Sequence, residues 1–259
     1  MTAQLKRNQQ GHTLVLTISN PEMRNAISHE IYASGMAFLR DASQNADIRS
    51  IIITGEGRHF CAGGNLQRLQ DNRQQPPAVQ AQSIDALHAW VEAIRACPKP
   101  VIAAVEGAAA GAGFSVALAC DFLVASREAI FVMAYSNIAL SPDGGGSWSL
   151  ARALPRQLAS ELLMLGPQIG AERLHTLGVV NRVTESGAAL TDALALGDQV
   201  NQRAPNALAS IKALLTGADQ HSLHEHLMQE QAHFVQNLHH TNAGEGITAF
   251  LDKRAARYP

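Results

Sequence analysis

"VIAAVEGAAAGAGFSVALAC", residues 101–120, is the longest apolar stretch of the chain. One charge, Glu106, interrupts it, and the uncharged remainder is too short to cross ~30 Å of hydrocarbon. Gly107-x-x-x-Gly111 would suit helix packing inside a bilayer, but the length argues against a span. The stretch divides at its glycines instead. Residues 101–107 read as a buried strand, 107–111 as a tight turn and 112–120 as a buried helix of small residues.

The same form occurs upstream. "SIIIT" (50–54) is a buried strand, and "FCAGGNL" (60–66) is a second glycine-bearing turn that leads toward a helix. N–H groups at a helix start have no intrahelical partner and suit an anion. Two such turns facing each other would aim two N–H groups at one oxygen and stabilise an enolate or tetrahedral oxyanion. Taken singly, each turn is explained more simply by close packing and positive φ. Neither turn matches G-x-G-x-x-G or the phosphate loop ending in Gly-Lys-Ser/Thr, which argues against a nucleotide cradle.

Downstream, "SPDGGGSW" (141–148) sets Asp143 between a proline and three glycines. Pro-Asp-Gly alone is turn chemistry. Three glycines before the apolar "SWSLARAL" imply a backbone that comes close to something and then enters a helix. Asp143 is thus a turn residue or a reacting group.

Further strands are expected at 13–19, 121–126, 129–133 and 179–183. Helices are expected at 24–45, 83–97, 147–154, 156–165, 170–177, about 188–203, 205–216, 221–238 and 242–253. "RQQPPAVQ" (73–80) reads as a polar, mobile loop. Strands alternate with helices through two-thirds of the chain and a helical tail follows. This predicts an α/β core over 1–200 and a helical region over 201–259.

The chain has 259 residues, 46% hydrophobic and 16% charged, with net charge −2 and no long basic run. That composition favours a large core and disfavours nucleic acid as the main ligand. Cys61, Cys97 and Cys120 lack metal-like spacing and suit reduced thiols in the cytoplasm. The first twenty residues show no apolar signal segment. His221, His224, His226 and His233 lack H-E-x-x-H spacing, so no metal is expected.

"NPEMRNAIS", "ITGEGRHFCAGGNL", "KPVIAAVEGAAAGAGFSVALACD", "SPDGGGSW" and "EGITAFLDKR", in this order, resemble the crotonase superfamily, the enoyl-CoA hydratase/isomerase family. The resemblance covers nearly the whole chain. It implies a crotonase-like spiral of ββα units, a C-terminal helical trimerisation region with trimers often paired as hexamers, and an acyl-CoA thioester as substrate. Coenzyme A would enter only as part of that substrate, with no other cofactor and no membrane partner. By position, the oxyanion donors would be the N–H groups of Gly64 and Ala112; the second position is commonly glycine. The resemblance assigns CoA contacts to Arg24, Ala26, Ala62 and Asn65. It assigns Phe250 and Lys253 to the nucleotide of CoA on a neighbouring subunit, although a helix-surface charge is an equal reading of Lys253.

Family hydratases place two glutamates over the double bond. Here Ser115 and Tyr135 stand at those positions. Asp143 is the remaining carboxylate, at a loop where some isomerases of the family, including that for ring-epoxidised phenylacetyl-CoA, carry aspartate. Its implied role is a base that shuttles a proton near the thioester α carbon, with Gly144–Gly146 letting the loop approach substrate. Tyr135 would bond the acyl part or fill space. Ser115 lacks the G-x-S-x-G elbow of a nucleophile. The expectation is an isomerase-type proton transfer through a thioester enolate. The alternatives are hydration or hydrolysis in a rearranged site, or CoA-thioester binding without catalysis.

Overall fold

The computed structural model describes residues 3–258. The chain opens with antiparallel strands β1 (Gln4–Gln10) and β2 (Thr13–Ser19). No apolar alternation announces β1, because only Leu5 of its seven residues is buried. Next come α1 (His29–Gln44), β3 (Ser50–Gly55), α2 (Leu66–Asn72) and α3 (Pro77–Ala96). Two boundaries in this first part differ from expectation. Arg24 and Asn25 are left-handed, with φ of 50° and 58°, so the helix expected from 24 starts at His29. The loop expected over 73–80 ends early, because Pro77 occupies the first turn of α3, where proline is pre-shaped for a helix.

The stretch 101–120 folds as β4 (Val101–Val105), β5 (Ala108–Ala110) and α4 (Ala112–Ala119). After it come β6 (Phe122–Ser126), β7 (Ile130–Val132), α5 (Gly146–Ala153), α6 (Arg156–Met164), β8 (Ile169–Gly170) and α7 (Ala171–Thr176). β9 (Arg182–Thr184) is shorter and later than the strand expected at 179–183. The chain ends in α8 (Ala189–Asn201), α9 (Pro205–Gly217), α10 (Leu223–Leu238) and α11 (Thr241–Leu251).

The larger sheet has the order β1-β2-β3-β4-β6-β9, parallel from β2 onward; the smaller has β5-β7-β8. Successive strands therefore visit the two sheets in turn: β4 then β5, β6 then β7. β3 and β4 are almost wholly buried because both sheet faces are covered. One face carries Leu16, Ile51, Ile53 and Val101 in the main core with Trp90 and Phe114. The other carries Val15, Ile52, Ile102 and Val124 under Ala193, Leu196 and Val200 of α8. α1 and α3 meet closely at Gly35, where a Cβ would lie 2.2 Å from the Trp90 indole nitrogen.

Glu106, the charge inside the apolar stretch, accepts the Ala189 N–H at the start of α8 at 2.9 Å. It therefore works as a helix-start anchor. α9 is tied to the core by Lys212, whose Nζ donates to the Ile94 carbonyl at 2.9 Å, the Lys99 carbonyl at 3.2 Å and Asp121 Oδ2 at 2.6 Å. Asp121 also accepts the Val101 N–H at 2.8 Å. Beyond this anchor, α9–α11 expose Leu215, Phe234, Phe250 and Leu251. Among the described residues no helix is long and apolar enough to cross a membrane.

Candidate active site

The two glycine turns lie side by side. Phe60 N–H donates to the Glu106 carbonyl, Cys61 N–H to Ala108, and Ala110 N–H back to Cys61, at 2.8, 3.1 and 2.9 Å. These bonds make a parallel bridge between Cys61 and Ala109. Gly64 and Ala112 each stand three residues beyond it, so the ladder gives both the same offset.

Two glycines permit this approach. A Cβ on Gly63, at φ 91°, would lie 2.7 Å from the Ala110 carbonyl oxygen and 3.4 Å from the Ala112 nitrogen. A Cβ on Gly113 would lie 2.4 Å from the Cys61 carbonyl oxygen. The 2.7 and 2.4 Å distances are forbidden to a real side chain by ordinary sterics. A Cβ on Gly64 would meet nothing within 4 Å, so open space lies over that residue.

Ala112 is the first residue of α4, and its N–H has no intrahelical acceptor. Among the described residues, neither the Gly64 nor the Ala112 N–H is donated to any protein acceptor. Ala112 is 5% exposed and its methyl group leaves this N–H in place. The glycine-to-alanine departure therefore does not remove the donor.

Asp143 reaches the second turn through Tyr135. The Tyr135 hydroxyl donates to Asp143 Oδ1 at 2.5 Å. A Cβ on Gly111 would lie 3.6 Å from Tyr135 Cζ and 3.7 Å from its oxygen, which places this pair beside the residue before Ala112. Burial, and then the neighbouring Asp143 charge, push the Tyr135 phenol above its ordinary value, so it stays protonated and donating at neutral pH. The ring is buried and the hydroxyl serves Asp143, so Tyr135 both fills space and bonds, with the carboxylate as its partner.

Ser115 is buried, and its Oγ donates to the Asp143 carbonyl at 3.0 Å. It anchors the loop that carries the carboxylate. The triple glycine serves the same contact. A Cβ on Gly144 would fall 3.1 Å from Ser115 Cβ and 3.3 Å from Leu87, and one on Gly146 would fall 2.6 Å from Ser115 Oγ. The glycines thus let the loop lie flat on α3 and α4. Asp143 itself is half-buried.

Of the residues assigned to CoA, Arg24 and Ala62 meet directly: Ala62 N–H donates to the Arg24 carbonyl at 2.9 Å. Ala26 is buried beside them, and the Ile27 N–H donates to the Gly63 carbonyl at 2.9 Å. The Asn65 side chain caps α2 by accepting the Arg68 N–H at 3.1 Å. Phe250 and Lys253 stand apart from this cluster, exposed at the end of α11, which packs on α10.

Sequence reasoning missed two groups beside the site. Tyr32 of α1 is 2% exposed and packs against Trp90 with ring centroids 6.1 Å apart. Burial raises its phenol's pKa; Arg68 of α2 counters this, while Asp143 and Cys61 add to it. Tyr32 is thus within the electrostatic reach of Arg68, Asp143 and Cys61. Burial also pushes the Cys61 thiol up to about 12, which leaves it an uncharged packing group. Among the described residues, no cluster of three or more His, Cys, Asp or Glu could hold a metal ion.

The family model described as enoyl-CoA hydratase/isomerase matches residues 8–259. The chain is 34% identical to a 1,2-epoxyphenylacetyl-CoA isomerase of Escherichia coli (strain K12), with 95% of this chain and 94% of that protein covered. It is 32% identical to a 2,3-dehydroadipyl-CoA hydratase of the same organism, with 95% of each covered. A crystal structure of an enoyl-CoA hydratase from Polaromonas sp. JS666 superposes with a TM-score of 0.98 at 62% identity, covering 99% of this chain and 100% of that one. With the fold shared across its length and the family model matched from residue 8 to the end, the chain is an enzyme of the enoyl-CoA hydratase/isomerase family.

Proposed function

We propose that this enzyme moves a proton on an unsaturated acyl-CoA, with Asp143 as the base. The thioester oxygen sits on the Gly64 and Ala112 N–H groups. Asp143 takes a proton from a carbon conjugated with the thioester, the charge passes to that oxygen, and the same carboxyl returns the proton to another carbon. Nothing is consumed, so the product is a double-bond or ring isomer. The observation that carries the reading is the pair of undonated N–H groups at equal offset from the Cys61–Ala109 bridge, with the Tyr135-held carboxylate beside Gly111. One such donor is typically worth about 3 kcal/mol of barrier, and a positioned base about 10²–10⁴-fold in rate.

The CoA moiety would lie along Arg24, Ala26, Ala62 and Asn65, with Phe250 and Lys253 completing the site of a neighbouring subunit. Residues 1–200 would form the catalytic core and 201–259 the assembling tail. A trimer, or two paired trimers, is supported by the apolar side chains α9–α11 leave open. Three free cysteines suit a cytoplasmic setting.

The test is Asp143→Asn assayed on a panel of unsaturated, aromatic and cyclic acyl-CoAs. Turnover should fall by at least about 100-fold while thioester affinity stays within a few-fold. Full activity in that variant removes the proposal. Hydration is the second reading, favoured by the Polaromonas structure at 62% identity. In it the Tyr135–Asp143 pair orients water. A 3-hydroxyacyl-CoA product from crotonyl-CoA would select hydration, and an isomer with no added water selects proton transfer.

A further inference from the structure

A cavity of about 300 Å³ lies at the end of the main sheet opposite to Gly64 and Ala112. Its walls come from the segments that lead into β3 and β4, the end of α8 and the start of α9. The glycine turns follow the other ends of the same two strands. The six residues of β3 alone span about 20 Å between the two places.

Three cations line the cavity, Arg49, Lys99 and Arg203, and its lining holds no Asp or Glu. Asp47, two residues from Arg49, is exposed and lies outside the lining. Two of the cations also serve the fold. Arg49 donates to the Asn201 carbonyl at 3.1 Å and to the Tyr258 carbonyl at 2.9 Å. Lys99 Nζ donates to the carbonyls of Asn45 and Ile48, just past α1. Those acceptors are neutral, so both charges stay uncompensated. A guanidinium has five N–H groups and an ammonium three, so Arg49 and Lys99 keep donors to spare. Burial pulls the Lys99 ammonium below its ordinary range, a cost that an anion beside it would offset. Arg203, in the link between α8 and α9, gives its side chain to no acceptor among the described residues.

The remaining wall is largely apolar, built from Ile48, Val200, Leu208 and three prolines. Three cations around one space select an anion. The apolar wall favours an anion with a hydrocarbon body over a bare hydrated ion. The volume is at the small end for ligand pockets, which suits a short acid.

We infer that this cavity is a second binding site, and that its ligand is a small organic carboxylate with a short apolar body. The inference stands apart from the thioester reading of Gly64 and Ala112.

The experiment is a ligand-observed NMR titration of the full chain with hexanoate, hexanamide and inorganic phosphate at fixed ionic strength. Hexanamide lacks the charge, and phosphate lacks the hydrocarbon. Hexanoate is expected to bind with a Kd of about 1 mM or below, at least about tenfold tighter than either comparison probe. Arg203→Glu removes no printed side-chain bond of the fold and should weaken hexanoate at least about tenfold. Arg156→Glu, an exposed reversal on α6, should leave it within about twofold. Arg49 and Lys99 stay unaltered, because changing them would cut bonds that hold the chain end and α1. A titration repeated in the presence of hexanoyl-CoA should give the same affinity. No binding of hexanoate, equal binding of hexanamide or phosphate, or an Arg203→Glu affinity like that of Arg156→Glu overturns the inference. Competition by hexanoyl-CoA also overturns it, because the acid would then occupy the thioester's site.

Discussion

Tyr135 is buried, and its hydroxyl serves a carboxylate. Its ring packs in the core, and its hydroxyl fixes Asp143 at 2.5 Å. Tyr135→Phe keeps the ring and deletes the bond. A hydrogen bond to a charged group is worth about 2 kcal/mol, so kcat is expected to fall about thirtyfold with KM nearly unchanged. Steady-state kinetics on the best substrate checks this, and unaltered kcat would show the bond to be idle. At this scale the residue types were legible: glycine, proline and aspartate name a close-lying loop. Their partners were not. That Ser115 and Leu87 are what Gly144 lies against depends on the packing of α3 and α4, which local sequence does not encode.

Among elements, the first strand and the helix of 101–120 were legible because burial on both faces writes an apolar run, but the turn expected between them folds as the short strand β5, whose pairing with β7 no local pattern states. β1 was not, since an edge strand needs only Leu5 inside. The start of α3 was misread because proline signals both loops and first helical turns. The bridge of Cys61 to Ala109 joins residues 48 apart in sequence, and no local pattern states that register. Neither is there a local signal for the Lys212 anchor of α9. Lys212 and Asp121 have side chains only 8% and 25% exposed. Burial acts first on Asp121 and holds its carboxyl above the usual carboxylate range, although Lys212 opposes this. Removing one partner of such a pair strands the other in the interior. Lys212→Met is expected to cost about 3–5 kcal/mol in urea unfolding, because Asp121 and two carbonyls lose their donor. A loss under 1 kcal/mol would mean water replaces the ammonium without penalty.

The whole molecule presents the helical tail as an unfinished surface. Phe250 is 83% exposed, Leu215 74% and Phe234 68%, all on α9–α11. Light scattering on the eluting protein is expected to give three or six times the 27.6 kDa chain mass. Phe234→Asp combined with Leu215→Asp should release smaller species while the core keeps its circular dichroism. A monomeric wild-type protein at micromolar concentration would refute the assembly. The family was legible at this scale because five motifs keep their order along the chain. Tyr32 escaped notice because one tyrosine in an amphipathic helix is unremarkable until its surroundings are known.

The offset shared by Gly64 and Ala112 has a consequence for tinkering with the enzyme. The proposed grip on the thioester is made wholly of main chain, clamped by main-chain rungs. A saturation screen at 64 or 112 would therefore grade replacements by bulk and backbone shape, with chemical character counting for little. The side chains beside it can be exchanged at 115, 135 and 143 while the anchor point stays put. The polypeptide is thus a fixed vice with removable jaws, and re-engineering the reaction belongs in the jaws.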